Sequence, residues 1–372
     1  MPPTADPQTE AAPLRSVDRA RVALRCGEVV AIDDGAGGIA LALAVETLGA
    51  EALARLRRLA GTAPVLALTR WRAAAVGLVE SGGPGVLTLT PPAESGAEAI
   101  HALVGLGLRP SCPHLPAGEA GPDAVAAVRL TKLAALLPTA LIAPVEAGRR
   151  PNAAWCARHD LRLVAAADIA DYQRRAARAL REVAEARVPL SDAPNARVIA
   201  FRPSNGGHEH LAIMVGEPKT DQPVLVRLHS ECFTGDILGS LRCDCGDQLR
   251  RAIAEISRAG GGIVLYLAQE GRGIGLVNKL RAYQLQDQGY DTLDANEALG
   301  FDADERLYLP AAEMLHQLGF ERVRLMTNNP DKLHQLARCG IEVVERVPHV
   351  IPSNDHNQAY LRTKAERGGH LF

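Results

Sequence analysis

The chain has 372 residues, of which 47% are hydrophobic, 23% charged and 3% aromatic, with a formal net charge of −2. That is enough apolar material for two ordinary domains of a soluble globular protein. With no overall basic field and few aromatic side chains, nucleic acid is not the expected main partner, and no apolar run of about 18 residues is present to cross a membrane.

Residues 1–14 are rich in proline and lack an apolar segment, which predicts a short disordered tail rather than a secretory or transit peptide, and hence a cytoplasmic protein. Apolar periodicity predicts helices over 17–25, 51–59 and 125–137; short β-like runs predict strands over 28–32, 65–68 and 139–143. Residues 35–38 and 81–85 read as loops. The first follows a strand, but it lacks both the glycine spacing of a dinucleotide loop and the lysine of a P-loop. Residues 170–187 read as one Arg-rich helix ending at Pro189, and 189–195 as a linker. Beyond Ala196 the texture changes. Strands over 197–201, 211–215 and 224–229 suggest a meander. Helices over 247–259, 274–286, 304–318 and 331–339 then alternate with strands over 262–268, 322–326 and 342–346. The expectation is an α/β protein of two domains, 15–188 and 196–372, each a mixed sheet with flanking helices.

Of seven cysteines, Cys26, Cys112, Cys156 and Cys339 are scattered, while Cys232, Cys243 and Cys245 crowd together. Three thiolates, two of them separated by a single residue, suit zinc. Three protein ligands plus water is the arrangement of a catalytic zinc; a fourth ligand from His229 or a distant histidine, or three buried free cysteines, are the alternatives. A glycine-rich loop, Gln269-Glu270-Gly271-Arg272-Gly273-Ile274-Gly275, follows the strand over 262–268. There backbone N–H groups can approach a phosphate or base, Glu270 can accept from a base, and Arg272 can grip phosphate. In Asp302-Ala303-Asp304-Glu305-Arg306 an acid precedes an arginine at an expected helix start, the usual pattern of a cap and ion pair. In Thr327-Asn328-Asn329-Pro330-Asp331-Lys332, Lys332 can hold an anion at a helix start, and lysine is scarce in this arginine-rich chain. Together these features describe a site for a phosphorylated, nitrogen-rich substrate attacked with the help of a metal.

The segments 226–248, 266–276, 286–292, 300–306 and 325–332 together resemble GTP cyclohydrolase II, from about Asp221 to the C-terminus, including 345–348, 363–366 and 369–371. The resemblance implies one zinc ion on Cys232, Cys243 and Cys245. It implies a GTP site formed by Arg227, Leu228, His229, Ser230, Glu231, Gln248, Glu270, Gly271, Arg272, Thr292, Thr327 and Lys332. It assigns Asp304 as proton acceptor, Arg306 as the group that attacks the α-phosphorus and Tyr283 as an aid to ring opening. The implied reaction is hydrolysis of GTP to 2,5-diamino-6-ribosylamino-4(3H)-pyrimidinone 5′-phosphate, formate and pyrophosphate, the first step of riboflavin biosynthesis. Mg²⁺ on the triphosphate and a homodimer are implied with it.

In the first half, 26–34, 128–143 and 157–172 resemble 3,4-dihydroxy-2-butanone 4-phosphate synthase. The acidic stretch expected after Asp33-Asp34 is replaced by Gly35-Ala36-Gly37-Gly38-Ile39-Ala40, the His-Thr-Glu segment roughly by Asp123-Ala124-Val125, and the late glutamate falls near Pro144. This half is therefore expected to keep the fold and lack the chemistry. The alternatives are a bifunctional enzyme and a non-catalytic GTP-binding regulator.

Overall fold

The computed structural model describes residues 7–106, 115–149 and 151–349. Residues 1–6, Cys112 and the motifs at 363–366 and 369–371 lie outside the described residues. The chain forms two compact units, Met1–Gln173 with Leu280–Asp304, and Arg174–Lys279 with Glu305–Phe372. The division therefore does not fall at the expected linker, and the segment 280–304 joins the first unit.

The first unit runs α1 (Pro7–Arg25), β1 (Val30–Asp33), β2 (Ile39–Ala44), α2 (Ala50–Ala60), β3 (Val65–Thr69), α3 (Arg70–Ala75), β4 (Val86–Leu89), α4 (Ala97–Leu103), β5 (Ala117–Glu119), α5 (Pro122–Leu133), β6 (Thr139–Pro144), α6 (Ala153–Arg158) and β7 (Arg162–Ala165). Its seven strands lie in the order β5-β4-β3-β6-β2-β1-β7, antiparallel except for the β1–β7 pair. Residues 7–14 are helix, where a tail was expected. Ala11, Leu14, Val17, Ala20 and Leu24 make a buried stripe at helical spacing, and a proline suits the first turn. Strand β2 is buried along its whole length. An alanine–leucine run with no polar alternation carries no strand signal, so the sequence does not announce it.

After α7 (Ala166–Arg178) the second unit contains β8 (Leu180–Arg187), β9 (Ala196–Pro203), β10 (His210–Val215), β11 (Val224–Ser230), α8 (Cys245–Arg258) and β12 (Gly262–Leu267). Helix α9 (Leu276–Gln286) spans the division, and α10 (Thr292–Leu299) belongs to the first unit, where Arg72 holds the Ala298 carbonyl at 2.7 Å. The second unit closes with α11 (Leu309–Gln317), β13 (Arg322–Met326), α12 (Pro330–Arg338) and β14 (Glu342–Val347). Its strand order is β14-β13-β11-β12-β10-β9-β8, parallel from β14 to β12 and antiparallel from β12 to β8.

Three expectations are corrected. The helix predicted over 170–187 stops at Arg178, and its second half is the edge strand β8. Its Arg, Glu and Ala residues favour a helix locally, but burial of Leu180 and pairing with β9 override that preference, and the charged side chains suit an exposed edge. The meander covers only β8–β9–β10. Strand β11 lies beyond β12, because the parallel β11–β12 pair requires a crossover, which α8 supplies. The helix predicted from 304 begins at Leu309, with Pro310 in its first turn, so Asp304 does not cap it.

Phe201, Leu228, Leu265, Met314 and Leu325 are buried in one core of the second unit. Phe201→Ala is expected to lower unfolding stability by about 3–5 kcal/mol. A denaturation midpoint equal to wild type would show that Phe201 does not carry this core.

Candidate active site

Strand β11 delivers residues 227–230 to the carboxyl edge of the second sheet, where the chain turns through a π-type turn at Phe233–Ile237 and returns to start α8 at Cys245. The Sγ atoms of Cys232, Cys243 and Cys245 lie within 4.8 Å of one another, and those of Cys232 and Cys243 are 3.7 Å apart. A tetrahedral ion with metal–sulfur bonds of about 2.3 Å requires sulfurs roughly 3.8 Å apart, so the cluster fits one. Two glycines permit the packing. A Cβ on Gly235 would lie 2.8 Å from Cys243 Sγ and 3.0 Å from Cys232 Sγ, and one on Gly246 would lie 2.2 Å from the Gly235 carbonyl oxygen. Hydrogen bonds from the other two thiols, reinforced by Lys279, hold the Cys232 thiol far below its ordinary range, and the thiols that donate to it are pushed up. One negative charge is thus shared by three sulfurs, and a divalent cation would let all three ionise.

His229 is outside this cluster. Its Nε2 lies 3.1 Å from both oxygens of Asp236, whose Oδ2 also accepts from the Cys232 N–H and the Tyr266 hydroxyl at 3.0 Å. Burial lowers the His229 pKa despite Asp236, so the ring is neutral and stacked on Tyr266. Among the described residues the candidate ligand set is the three cysteines alone.

The same cleft is lined by Arg227, Arg272, Lys279, Arg306 and Lys332, against two carboxylates, Glu231 and Glu270. Arg227 is buried, donates to Gln248 Oε1 at 2.5 Å and to the Met326 carbonyl at 3.0 Å, and leaves Nε without a partner among the described residues. Desolvation pushes its pKa down to about 10, so it remains a cation at neutral pH. Lys332, in the first turn of α12, donates to the Leu228 carbonyl at 3.2 Å. Thr327 Oγ accepts from Asn329 N–H at 3.0 Å. In the glycine-rich loop Gly271 and Arg272 have φ of 64° and 62°; a left-handed arginine is strained and is held by its carbonyl, which accepts from Glu305 N–H at 3.1 Å. Glu270 is engaged on both oxygens. Oε1 accepts from Gly271 N–H and Lys279 Nζ at 2.9 Å, and Oε2 from Phe233 N–H at 2.7 Å.

Of the expected residues, Arg227, His229, Ser230, Glu231, Cys232, Cys245, Gln248, Glu270, Gly271, Arg272, Arg306, Thr327 and Lys332 line this one cleft. Cys243 completes the thiol cluster and Leu228 offers its carbonyl to Lys332. Tyr283, Thr292 and Asp304 belong to the first unit, on α9, at the start of α10 and at the end of the segment 280–304. The sequence reading did not single out Asp236, Tyr266, Lys279, Asn328 or His349. Lys279 carried a usable signal, since the whole chain has only five lysines.

Residues 181–348 match the family model of GTP cyclohydrolase II. The chain is 59% identical to GTP cyclohydrolase-2 of Azospirillum brasilense, over 100% of this chain and 97% of that protein. It is 48% identical to riboflavin biosynthesis protein RibBA of a Synechocystis strain, over 66% of this chain and 45% of that protein. It is 46% identical to RibBA of a Bacillus cereus strain, over 66% of this chain and 64% of that protein. It thus spans less than two thirds of either RibBA relative. A solved two-domain 3,4-dihydroxy-2-butanone 4-phosphate synthase from A. baumannii aligns with 90% of this chain and 99% of its own at 17% identity and TM-score 0.37, too loose a likeness to carry weight.

Burial pushes His210 and His349 down to about 4. His210 Nδ1 accepts from Ala268 N–H at 3.0 Å, and His349 lies between Glu255 and the Gln248 carbonyl. Both are neutral in the folded state, whereas the unfolded chain binds a proton at each below about pH 6.5. Their contribution is complete above pH 6.5 and is lost as pH falls toward 4, on the order of 3 kcal/mol each. Thermal melts of the full chain should show a falling midpoint between pH 7 and 5; a flat profile would refute the buried neutral pair.

Proposed function

This chain belongs to the GTP cyclohydrolase II family, an enzyme of riboflavin biosynthesis, and on that premise we propose that it hydrolyses GTP to 2,5-diamino-6-ribosylamino-4(3H)-pyrimidinone 5′-phosphate, formate and pyrophosphate with one zinc ion on Cys232, Cys243 and Cys245. The observation that carries this reading is a three-thiol cluster, two of whose cysteines line the cleft that also holds Arg227, Arg272, Arg306 and Lys332. Thiols select a soft ion, and cations select polyphosphate.

Cys232, Cys243 and Cys245 would hold the zinc, which when bound would supply Lewis acidity and make water more acidic, the chemistry needed at the guanine imidazole ring. The protein's own residues do the rest. Arg227 and Lys332 present buried positive charge to the phosphates, and neither has to be reoriented, because carbonyls already fix them. Arg272 adds a third charge from its strained loop. Glu270 has lone pairs left to accept from the base, but its main engagement is with the protein, so it orders the loop as well. Arg306 lines the same cleft and is the group we assign to the α-phosphorus. Asp304 and Tyr283 keep the roles that resemblance gives them, proton acceptor and aid to ring opening, and Thr292 completes nucleotide binding. Mg²⁺ carried on the triphosphate and a homodimeric state belong to the same proposal and rest on family resemblance. Among the described residues no helix is long and apolar enough to cross a membrane.

We further propose that the first unit has no synthase activity. Asp33 Oδ1 accepts from Gly35 N–H at 2.8 Å, and Asp34 Oδ1 accepts from Ala36 and Gly38 N–H at 2.7 and 2.9 Å. The Asp123 carboxylate accepts from Ala124 N–H at the start of α5. These are contacts to neighbouring backbone N–H groups, and they support a half whose acids order local backbone.

Cys243→Ser should lose both stoichiometric zinc and formate release. Arg306→Ala should keep zinc while pyrophosphate release falls by at least about a hundredfold. Metal analysis combined with formate and pyrophosphate assays reads both; an active, zinc-replete Cys243→Ser protein would sink the metal assignment. Incubating the full chain with ribulose 5-phosphate should yield no dihydroxybutanone phosphate, and its appearance would promote the bifunctional alternative.

A further inference from the structure

We propose that Lys279 is a positioning residue: its ammonium ties the metal ligand Cys232 to Glu270 of the glycine-rich loop, so that metal affinity and the geometry of the substrate loop depend on one charge. This rests on the reading of the three cysteines as a metal site.

Lys279 sits in the first turn of α9, with its N–H on the Gly275 carbonyl at 3.0 Å, and is only 8% exposed. Its Nζ lies 3.0 Å from Cys232 Sγ, 2.9 Å from Thr234 Oγ and 2.9 Å from Glu270 Oε1. An ammonium has three protons, and these acceptors match them one for one. Glu270 closes a ring, because its other oxygen accepts from Phe233 N–H, in the segment that holds Cys232 and Thr234. Gly271 makes room for the lysine stem, since a Cβ there would lie 3.1 Å from Lys279 Cβ.

The charges explain why a lysine stands here. Three thiolates and a divalent ion sum to −1, and that charge is buried. A cation in contact with one sulfur offsets it, whereas a buried lysine without partners would be costly. Glu270 shares the ammonium, so the loop cannot move without loosening a contact to the ligand. The Lys279 ammonium is engaged by Cys232, Thr234 and Glu270, and it acts through Cys232 and Glu270.

The test uses the full chain. Zinc affinity is measured by chelator competition, and the charge-transfer absorption of the cobalt-substituted protein reports thiolate ligation. Lys279→Met should weaken zinc about 10–100-fold, the range for residues that support ligands, and reduce the charge-transfer band. At saturating zinc it should raise the KM for GTP severalfold. Lys279→Arg should recover most of the zinc affinity. A Lys279→Met protein with wild-type zinc affinity and spectrum overturns the proposal. If that variant does not fold, Glu270→Gln decides. It leaves the ammonium on Cys232, so zinc affinity should hold within a few-fold while KM rises; zinc loss, or an unchanged KM, overturns the coupling. A wild-type chain that binds no zinc removes the metal site and this role together, and the wild-type titration separates that outcome from failure of Lys279 alone.

Discussion

Three sulfur atoms held within 4.8 Å of one another are the constraint to which the second unit is built. Sulfurs at this distance repel once ionised, so the fold must force them together and offer compensating charge. The forcing is steric and comes from backbone. The turn at Phe233–Ile237 packs Gly235 against the sulfurs, and Gly246 lets the first turn of α8 meet the Gly235 carbonyl. The compensation comes from Lys279 and from the N-terminal end of α8, whose dipole is favourable to a thiolate at Cys245. The parallel β11–β12 pair is what brings these parts to one edge. It ends both strands on the same side, one leading into Cys232 and the other into the Glu270 loop.

The cationic wall of the cleft follows a different rule. Arg227 and Lys332 are buried, so each loses hydration and must regain it from fixed groups. Carbonyls of Met326 and Leu228 supply part of that, and Gln248 supplies more for Arg227. None of these partners is a carboxylate in contact. For Arg227 these neutral groups solvate the charge and leave it available to a polyanion. Asp244 lowers the penalty on Arg227 from a distance, and Gln248 links the two residues through its amide.

What could be read in the sequence was what lies close together along the chain. The cysteine spacing, the glycine-rich loop and the Thr327–Lys332 segment each place several functional groups within a short stretch of chain, and each was legible as chemistry. Residues whose meaning depends on distant partners were not. Lys279 reads as one basic residue in a helix until Cys232 and Thr234, more than forty positions upstream, are brought to its ammonium. Asp236 reads as a loop acid until His229 and Tyr266 converge on it. In the fold, β8 was hidden because its residues prefer a helix and only its pairing with β9 decides otherwise, and β2 because a strand buried on both faces shows no alternation. The assignment of 280–304 to the first unit has no local signature, since it depends on contacts such as Thr69 Oγ on the Gly300 carbonyl.

A sheet with its core and the chemistry at its edge make different demands on the first unit's sequence. Its sheet and its core require only that apolar positions stay apolar, and Leu41, Leu43, Leu66, Leu68 and Leu141 are fully buried. Metal-dependent sugar-phosphate chemistry requires carboxylates free to bind and to move protons, a much narrower demand. At the loop after β1 those demands conflict. A Cβ on Gly38 would lie 2.4 Å from Asp34 Oδ2, so this glycine lets the carboxylate fold back onto the Ala36 and Gly38 N–H groups. A side chain at Gly38 would displace the end of the Asp34 side chain and weaken that turn. The identity to Azospirillum brasilense GTP cyclohydrolase-2 spans this half together with the other.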